Sequence, residues 1–210
     1  SYILHIFKEM ITQNKWDMKN LQDLNKVVVG YVGPISSAYS HDDSGIYLLS
    51  TKNISFDGLS LKKETKVLES FHNKNKKSQL NPGDIIVARH GNSGQSAVIP
   101  DTLTKSHALN VIIIKKSEYI NPKYLNYLLN SGVLTEINQS KTGSVQQIIN
   151  TKIIRDLKIP LPPIEEQNIL VDKIEEYFKV LNDLKAIETK KLNLYINLEK
   201  STLSKELSYE

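Results

Sequence analysis

The segment Pro160-Leu-Pro-Pro163 is the feature that most constrains how this chain can fold. Three prolines in four residues exclude both an α-helix and a central β-strand, because proline fixes φ and lacks an amide donor. Residues 164–207 then contain neither glycine nor proline, and Glu165 and Glu166 suit the first turn of a helix. The chain is therefore predicted to divide here into a globular body and a single helix of roughly 65 Å.

The body ahead of the prolines is predicted to be rich in strands. Short apolar runs alternate there with clusters of Gly, Pro, Asn, Asp and Ser, a pattern typical of strands joined by polar loops. One helix is expected from residue 122 to about residue 134, with Asn121 as its N-cap and Pro122 in its first turn. The runs that predict strands are residues 26–32, 45–49, 84–88, 110–114 and 153–159.

The first fourteen residues have the pattern of an amphipathic helix. Apolar side chains recur at i, i+3, i+4, i+7 and i+8, and so short a helix needs a partner to be stable. The predicted fold class is thus α+β, a strand-rich globular domain followed by a long C-terminal coiled-coil helix. Residues 1–15 would form a short helix packing on a long helix, 16–160 the globular domain and 161–210 the long helix. The apolar positions are Ile3, Ile6, Phe7, Met10 and Ile11.

Composition excludes several classes of function. The chain has no cysteine, which rules out disulfides, thiolate zinc sites and cysteine nucleophiles. No apolar run approaches the ~18 residues of a membrane helix, and no signal peptide is recognisable, so a cytoplasmic protein is expected. The five histidines share no metal-ligand spacing, and no phosphate-binding motif or catalytic triad is evident. Neither a catalytic residue nor a metal site is predicted.

The charge is unevenly distributed along the chain. Residues 1–160 hold 20 Lys and Arg against 13 Asp and Glu, whereas residues 161–210 hold 7 against 10. A basic body indicates that the body, and not the helix, meets a polyanion. The lysines of segment 62–77 are interpreted as phosphate contacts, with a solvated loop as the alternative. They are Lys62, Lys63, Lys66, Lys74, Lys76 and Lys77.

Two polar loops have the composition for reading base edges. The first follows the predicted strand 84–88 and contains one of only two arginines, together with two glycines that permit close backbone approach or simply form a hairpin turn. The second, residues 141–147, could equally supply a helix N-cap at Ser144. The candidate DNA contacts are Arg89, His90, Asn92 and Gln95 in the first loop and Lys141, Ser144, Gln146 and Gln147 in the second.

The first half of the long helix is predicted to form a coiled-coil seam. Its apolar residues recur about every 3.5 positions, and a helix of about 14 residues would span only ~21 Å of it. Most of the seam therefore calls for a second molecule or for a missing part of the same chain. Two copies related by a two-fold axis would pair antiparallel. The seam residues are Leu170, Ile174, Tyr177, Leu181, Leu184 and Ile187.

The order of the short motifs resembles the specificity subunit of type I restriction-modification systems. The motifs are Pro82-Gly-Asp, Arg89-x-Gly, Asn121-Pro-x-Tyr-Leu, Gly143-Ser-x-Gln and Ile159-Pro-Leu-Pro-Pro-Ile-Glu-Glu-Gln167, of which the last is the most specific. The resemblance implies that residues 16–160 form one DNA target recognition domain and 161–210 a spacer and dimerisation helix. It further implies a non-catalytic subunit that reads half of a bipartite DNA site and docks methyltransferase subunits through the helix.

The usual member of this family carries two recognition domains and two helices. The chain would then be a half-size subunit, the C-terminal half of a full subunit, or the specificity domain of a fused type II restriction enzyme. The implied partners are double-stranded DNA, methyltransferase subunits and a restriction subunit, with no membrane. S-adenosylmethionine and ATP would serve the partner subunits, and this chain would bind no cofactor. Trp16 would lie in the core or at the domain–helix junction. The rival hypothesis is a non-DNA adaptor that dimerises by coiled coil.

Overall fold

The computed structural model describes residues 2–55, 58–62, 64–90, 94–132 and 149–207, and this part of the chain is α+β, as predicted. The helices are α1 Tyr2–Thr12, α2 Leu21–Leu24, α3 Glu69–Lys74, α4 Pro122–Ser131, α5 Thr151–Arg155 and α6 Ile164–Leu207. The strands are β1 Met18–Asn20, β2 Val27–Val29, β3 Tyr39–Ser40, β4 Ile46–Leu49, β5 Ile54–Ser55, β6 Gly58–Leu59, β7 Lys66–Val67, β8 Gln79–Leu80, β9 Ile85–Val87, β10 Ser96–Val98, β11 Ser106–Ala108, β12 Ile112–Ile114 and β13 Lys158–Pro160.

A four-stranded antiparallel sheet forms the centre of the body. Its order is β10-β9-β12-β2, and Ile113 of β12 lies opposite Ile86 of β9 and Val28 of β2. Every residue of β9 and β12 is buried, which explains why both strands are continuous apolar runs and do not alternate with polar residues. These buried strands supply much of the hydrophobic core.

A second sheet of five strands continues from the first. Its order is β3-β7-β4-β11-β8, with β4 and β11 parallel and the other pairs antiparallel. Only three residues, 109–111, connect β11 to β12. The end of β11 in one sheet is therefore beside the start of β12 in the other. A bridge between Tyr31 and Leu109 ties the end of β2 to the same place.

The two ends of the body are joined by strand pairing. Met18 of β1 lies opposite Pro160 of β13, and the amide of Leu161 donates to the carbonyl of Asp17 over 2.8 Å. The pairing closes the body where the proline segment begins. The remaining strands, β5 and β6, form a two-stranded ribbon.

Helix α1 packs on α4 through aromatic rings. The Phe7 ring lies 5.9 Å from that of Tyr124 in an edge-on arrangement and 5.8 Å from that of Tyr127. Tyr124 is buried, its hydroxyl donates to the carbonyl of Pro160 over 3.0 Å, and burial raises the pKa of this phenol. The packing of α1 on a long helix stays a prediction. The buried residues of α1 are Ile3, Leu4, Phe7 and Ile11.

Each of the five predicted strand runs contains a strand, but the prediction for residues 153–159 was wrong over its first part, residues 153–155. Residues 151–155 form α5, because the side chain of Asn150 caps the helix by accepting from the amide of Ile153 over 3.0 Å. Arg155 then fixes α5 by donating to the carbonyl of Val27 over 2.7 Å. Helix α4 is shorter than predicted, since Gly132 ends it in the left-handed conformation with φ +77°.

The predicted long helix is present as α6, which has 44 residues and Glu165 and Glu166 in its first turn. The chain divides into two compact units, residues 1–170 and 171–210. The first unit holds the sheets and the first turns of α6, and the second holds the remainder of the helix. None of the described helices combines the length and apolarity needed to cross a membrane.

Two buried histidines contact each other between α3 and β11. The Nδ1 atoms of His72 and His107 lie 3.3 Å apart, and the ring of Phe71 packs edge-on against His107. Burial, and to a smaller extent the neighbouring His72, lower the pKa of His107 to about 4. Burial also lowers the pKa of His72, as does Lys105, whereas Glu69 opposes the change. Both imidazoles are therefore neutral near pH 7.

We expect the free energy of unfolding to fall as the pH decreases from 6.5 to 4. The unfolded chain protonates His107 near its ordinary pKa of 6.5, whereas the folded chain keeps it neutral until about 4. The stability that depends on a neutral His107 is fully present above pH 6.5 and is lost as the pH falls towards 4. It amounts to about 3 kcal/mol. Denaturant unfolding of His107→Gln between pH 4 and 7 should give a flatter profile than the wild type. The matched control is the exposed His41, whose change to Gln should leave the wild-type profile; parallel profiles for His107→Gln and wild type would contradict the prediction.

Candidate nucleic-acid interface

Strand pairing gathers several polar segments at one edge of the body. Strands β4 and β11 run parallel and end together, and β7 and β8, which pair antiparallel with them, begin at that edge. In the four-stranded sheet, β9 ends beside the start of β12. We call this place the Arg89 edge; it comprises Lys52, Lys62, the turn Lys76–Ser78, Arg89 and Asn110. It brings together both ends of the basic segment 62–77 and the first predicted loop.

The first predicted loop closes the hairpin of β9 and β10. Ala88 and Gln95 pair across its base, where the Ala88 amide donates to the Gln95 carbonyl over 2.8 Å. Arg89 is half-buried, and its Nη1 donates to Oδ1 of Asn110 over 2.9 Å. His90 is exposed, whereas Asn92 lies outside the described residues. The Oε1 atom of Gln95 is buried and accepts no hydrogen bond from the described residues, so this side chain faces inward.

Asn110 was not predicted as a functional residue. It is exposed, and among the described residues it is the one non-glycine with positive φ, at 51°. Its amide donates to the carbonyl of Tyr31 over 2.9 Å. A signal was present in the sequence, because an asparagine between two buried runs is a residue that tolerates the left-handed conformation of a tight connection. Its contact with Arg89 could not be predicted, since the two residues are far apart in the chain.

The lysines predicted to contact phosphates differ in their exposure and in their contacts with the fold. Lys62, Lys74, Lys76 and Lys77 are exposed, and Lys63 lies outside the described residues. Lys66 is held by the fold: its Nζ donates to the carbonyl of Asp43 over 3.0 Å and lies 5.3 Å from the centre of the Tyr47 ring. Its role as a phosphate contact stays a prediction, and it is the weakest of the set.

The second predicted loop, with Lys141, Ser144, Gln146 and Gln147, lies outside the described residues. The chain on either side of it lies beside the Arg89 hairpin. The side-chain amide of Asn130 donates to the carbonyl of Ser96 and accepts from its amide, both over 3.0 Å. A Cβ placed on Gly94 would lie 3.2 Å from Cδ1 of Ile149. The described residues that flank the second loop are therefore neighbours of the Arg89 hairpin.

The Pro82-Gly-Asp motif has a structural role at the opposite end of β9. Gly83 adopts φ +83° in the turn, as a type II turn requires. The buried Asp84 accepts from the amides of Asn81 and Lys116, each over 2.9 Å, and from Nζ of Lys115 over 2.7 Å. These bonds join the turn to the end of β12 and fix where β9 begins.

The proline motif joins the body to the start of α6. Gln167 is fully buried; its Oε1 accepts from the amide of Asn121 over 2.8 Å, and its Nε2 donates to the carbonyl of Pro162 over 2.9 Å. Asn121 caps α4 with its side chain, as predicted. Trp16 lines a shallow groove with the residues that precede the helix, Pro162 and Pro163.

The residues of the predicted helix seam are covered to different degrees. Leu170 and Ile174 are buried and Leu181 is half-buried, whereas Leu184 and Ile187 are 58% and 64% exposed. Apolar exposure continues beyond the predicted seam. The exposed large apolar residues of α6 beyond residue 174 are Tyr177, Val180, Leu184, Ile187, Leu192, Leu194, Tyr195, Ile196 and Leu198.

Comparison with known proteins identifies the family. Residues 13–194 match the family described as the type I restriction modification DNA specificity domain, and the chain belongs to this family. Within the described residues, no group of three or more His, Asp or Glu side chains could hold a metal ion.

Curated relatives agree with this assignment. The chain is 26% identical over 163 residues to the EcoBI specificity subunit of Escherichia coli, covering 77% of this chain and 34% of that protein. It is 28% identical over 197 residues to the putative MjaX specificity subunit of Methanocaldococcus jannaschii, covering 84% and 45%. The chain thus spans less than half the length of these relatives.

Solved structures share the fold. The HsdS subunit of Thermoanaerobacter tengcongensis superposes with a TM-score of 0.65 at 17% identity, covering 87% of this chain and 45% of that one. A chain of another type I restriction-modification system gives a TM-score of 0.66 at 16% identity, covering 89% and 46%.

We expect Asp84→Ala to lower the free energy of unfolding by about 3 kcal/mol, because two amides lose their acceptor and the Lys115 ammonium loses its carboxylate partner and keeps only the carbonyl of Gln79. Denaturant titration measures this change. The matched control is Asp43→Ala, which removes an exposed carboxylate 3.6 Å from Lys66 and should cost little. Equal effects of the two substitutions would show that the Asp84 network does not stabilise the fold.

Proposed function

We propose that this chain recognises DNA for a type I restriction-modification complex and reads one half of a bipartite site. The observation that carries the proposal is the Arg89 edge in a member of the DNA specificity family: the strand pairing puts Arg89 and the turn with Lys76 and Lys77 at one edge of the body. Lysine ammonium groups bind phosphates and position a protein on the duplex, whereas an arginine can read a guanine through its O6 and N7 atoms. The edge supplies both kinds of contact.

We further propose that this chain performs no chemistry of its own. Methylation and cleavage would take place in methyltransferase and restriction subunits that use S-adenosylmethionine and ATP. The methyltransferase subunits would dock along α6, which carries exposed apolar side chains over several turns. Support for this division of labour comes from the names of the relatives, each a specificity subunit.

The exposed apolar face of α6 supports self-association. Tyr177, Val180, Leu184 and Ile187 are spaced by three and four residues, which is the heptad spacing of a coiled coil, and each is about half exposed or more. The chain spans less than half of its relatives, so a second copy would restore two recognition domains. A two-fold axis would pair the helices antiparallel and favour a palindromic split site.

Removing Lys76 and Lys77 together should weaken binding to any DNA sequence and make it less dependent on salt. Each lost phosphate contact lowers the slope of log K against log salt by about 0.9, so Lys76→Ala/Lys77→Ala should reduce it by about 2. Fluorescence anisotropy on random duplexes across a salt series measures the slope. The matched control, Lys185→Ala/Lys190→Ala, removes the same charge from α6 and should leave the slope unchanged. If the wild type fails to bind DNA at low salt, the adaptor hypothesis is the better one.

Leu184→Glu should convert the self-associated chain to monomers, because it places a charge in the apolar face of α6. Sedimentation velocity at tens of micromolar gives the oligomeric state. The control Asn182→Glu adds the same charge on another side of the helix and should remain associated. A wild-type chain that sediments as a monomer at this concentration would contradict self-association and favour one half of a two-domain subunit.

A further inference from the structure

Asn110 combines a costly backbone conformation with a side-chain contact to Arg89. A non-glycine residue with φ of 51° is uncommon, and such a conformation persists where its surroundings fix it. The end of β2 fixes the backbone of Asn110. The Asn110 amide donates to the Tyr31 carbonyl over 2.9 Å, and the Tyr31 amide donates to the Ala108 carbonyl over 2.8 Å.

The same connection is braced by close packing. Gly30 donates to the Val111 carbonyl over 2.8 Å, and a Cβ on Gly30 would lie 2.8 Å from the Cβ of Ala108. The Tyr31 ring also packs edge-on against Phe71 of α3, with centroids 4.9 Å apart. The backbone of residues 108–111 is therefore fixed against the end of β2. The Asn110 side chain projects from this fixed backbone.

The contact restricts the Arg89 side chain. A guanidinium is a planar fork of N–H donors, so a bond from Nη1 to Oδ1 of Asn110, at 2.9 Å, limits the rotation of that plane. Because the amide oxygen of Asn110 is neutral, this bond places no negative charge beside the Arg89 guanidinium. A base-reading arginine benefits from such restriction, because ordering a long side chain on binding costs free energy.

We propose that Asn110 is a positioning residue that fixes the guanidinium of Arg89 for reading a guanine edge. The proposal rests on the proposed DNA-recognition function. Asn110 acts through Arg89, and the left-handed backbone of the β11–β12 connection is what aims its amide oxygen at that side chain. The alternative is that the two residues only brace the hairpin to the body, in which case their loss affects folding and not the choice of sequence.

Substitution at Asn110 separates these two roles. Glycine adopts φ of 51° without strain, so Asn110→Gly removes the acceptor while leaving the backbone as stable as before or more so. Aspartate also tolerates this conformation and keeps an acceptor for Arg89, but adds a negative charge. Asn110→Asp is therefore the conservative variant: it should restore selectivity and lower affinity for every DNA sequence by repulsion from phosphates.

The experiment uses the full chain and a duplex selected by the wild type from a random library. For each variant, the ratio of affinity for the selected duplex to affinity for scrambled duplexes is measured, together with the melting temperature. We expect Arg89→Ala to reduce the ratio about 5- to 150-fold. Asn110→Gly should reduce it about 10-fold without lowering the melting temperature, and the double variant should match Arg89→Ala alone.

The outcomes distinguish the proposal from the function on which it rests. Asn110→Asp with a near wild-type ratio and lower overall affinity supports the positioning role. Effects of Arg89→Ala and Asn110→Gly that multiply in the double variant overturn it, as does a lower melting temperature with an unchanged ratio. A wild-type chain that selects no sequence from the library overturns the proposed function and this inference together.

Discussion

The side-chain amide of Gln167 is the interaction on which the arrangement of the body and the helix start depends. It is fully buried and bonds to the first residue ahead of α4 and to the proline segment, at Asn121 and Pro162. An unsatisfied buried amide costs on the order of 1–3 kcal/mol, so these partners hold one another in place. Tyr124, one turn into α4, adds a bond to Pro160 and packs on Phe7. Three segments far apart in sequence thereby meet where the long helix begins.

This network explains why the motif of residues 159–167 was informative in the sequence. Prolines and a helix-initiating acidic pair can be read locally, and they correctly predicted both the end of the last strand and the start of α6. The same local chemistry identified the N-cap of α4. Local interpretation was wrong at residues 153–155, where an apolar run suggested a strand but Asn150 and Arg155 stabilise a helix.

The candidate site was predictable in its residue types and not in its contacts. Arg89 was predicted because it lies in a polar loop with two glycines after a predicted strand, whereas its contact with Asn110 depends on how β9, β12 and β2 pair. The parallel pairing of β4 with β11 could not be predicted from periodicity, and it is this pairing that brings Lys62 and Lys77 to a common edge. Lys66 illustrates the converse: it belongs to the basic segment by sequence, but β7 directs it to Asp43 and Tyr47.

The two ends of strand β9 have different surroundings. Its first end is fixed by Asp84, whose carboxylate bonds to the turn before it and to the residues after β12. All of its three residues are buried, and Ile86 lies between β10 and β12. Its other end leads to Arg89, which is half-buried, and to His90, which is exposed. The bonds of Asp84 lie at the other end of β9, so under the proposed function residues of the loop that begins at Arg89 could be exchanged without disturbing that network. Under the proposed function, such an exchange would change the DNA target while the fold is retained.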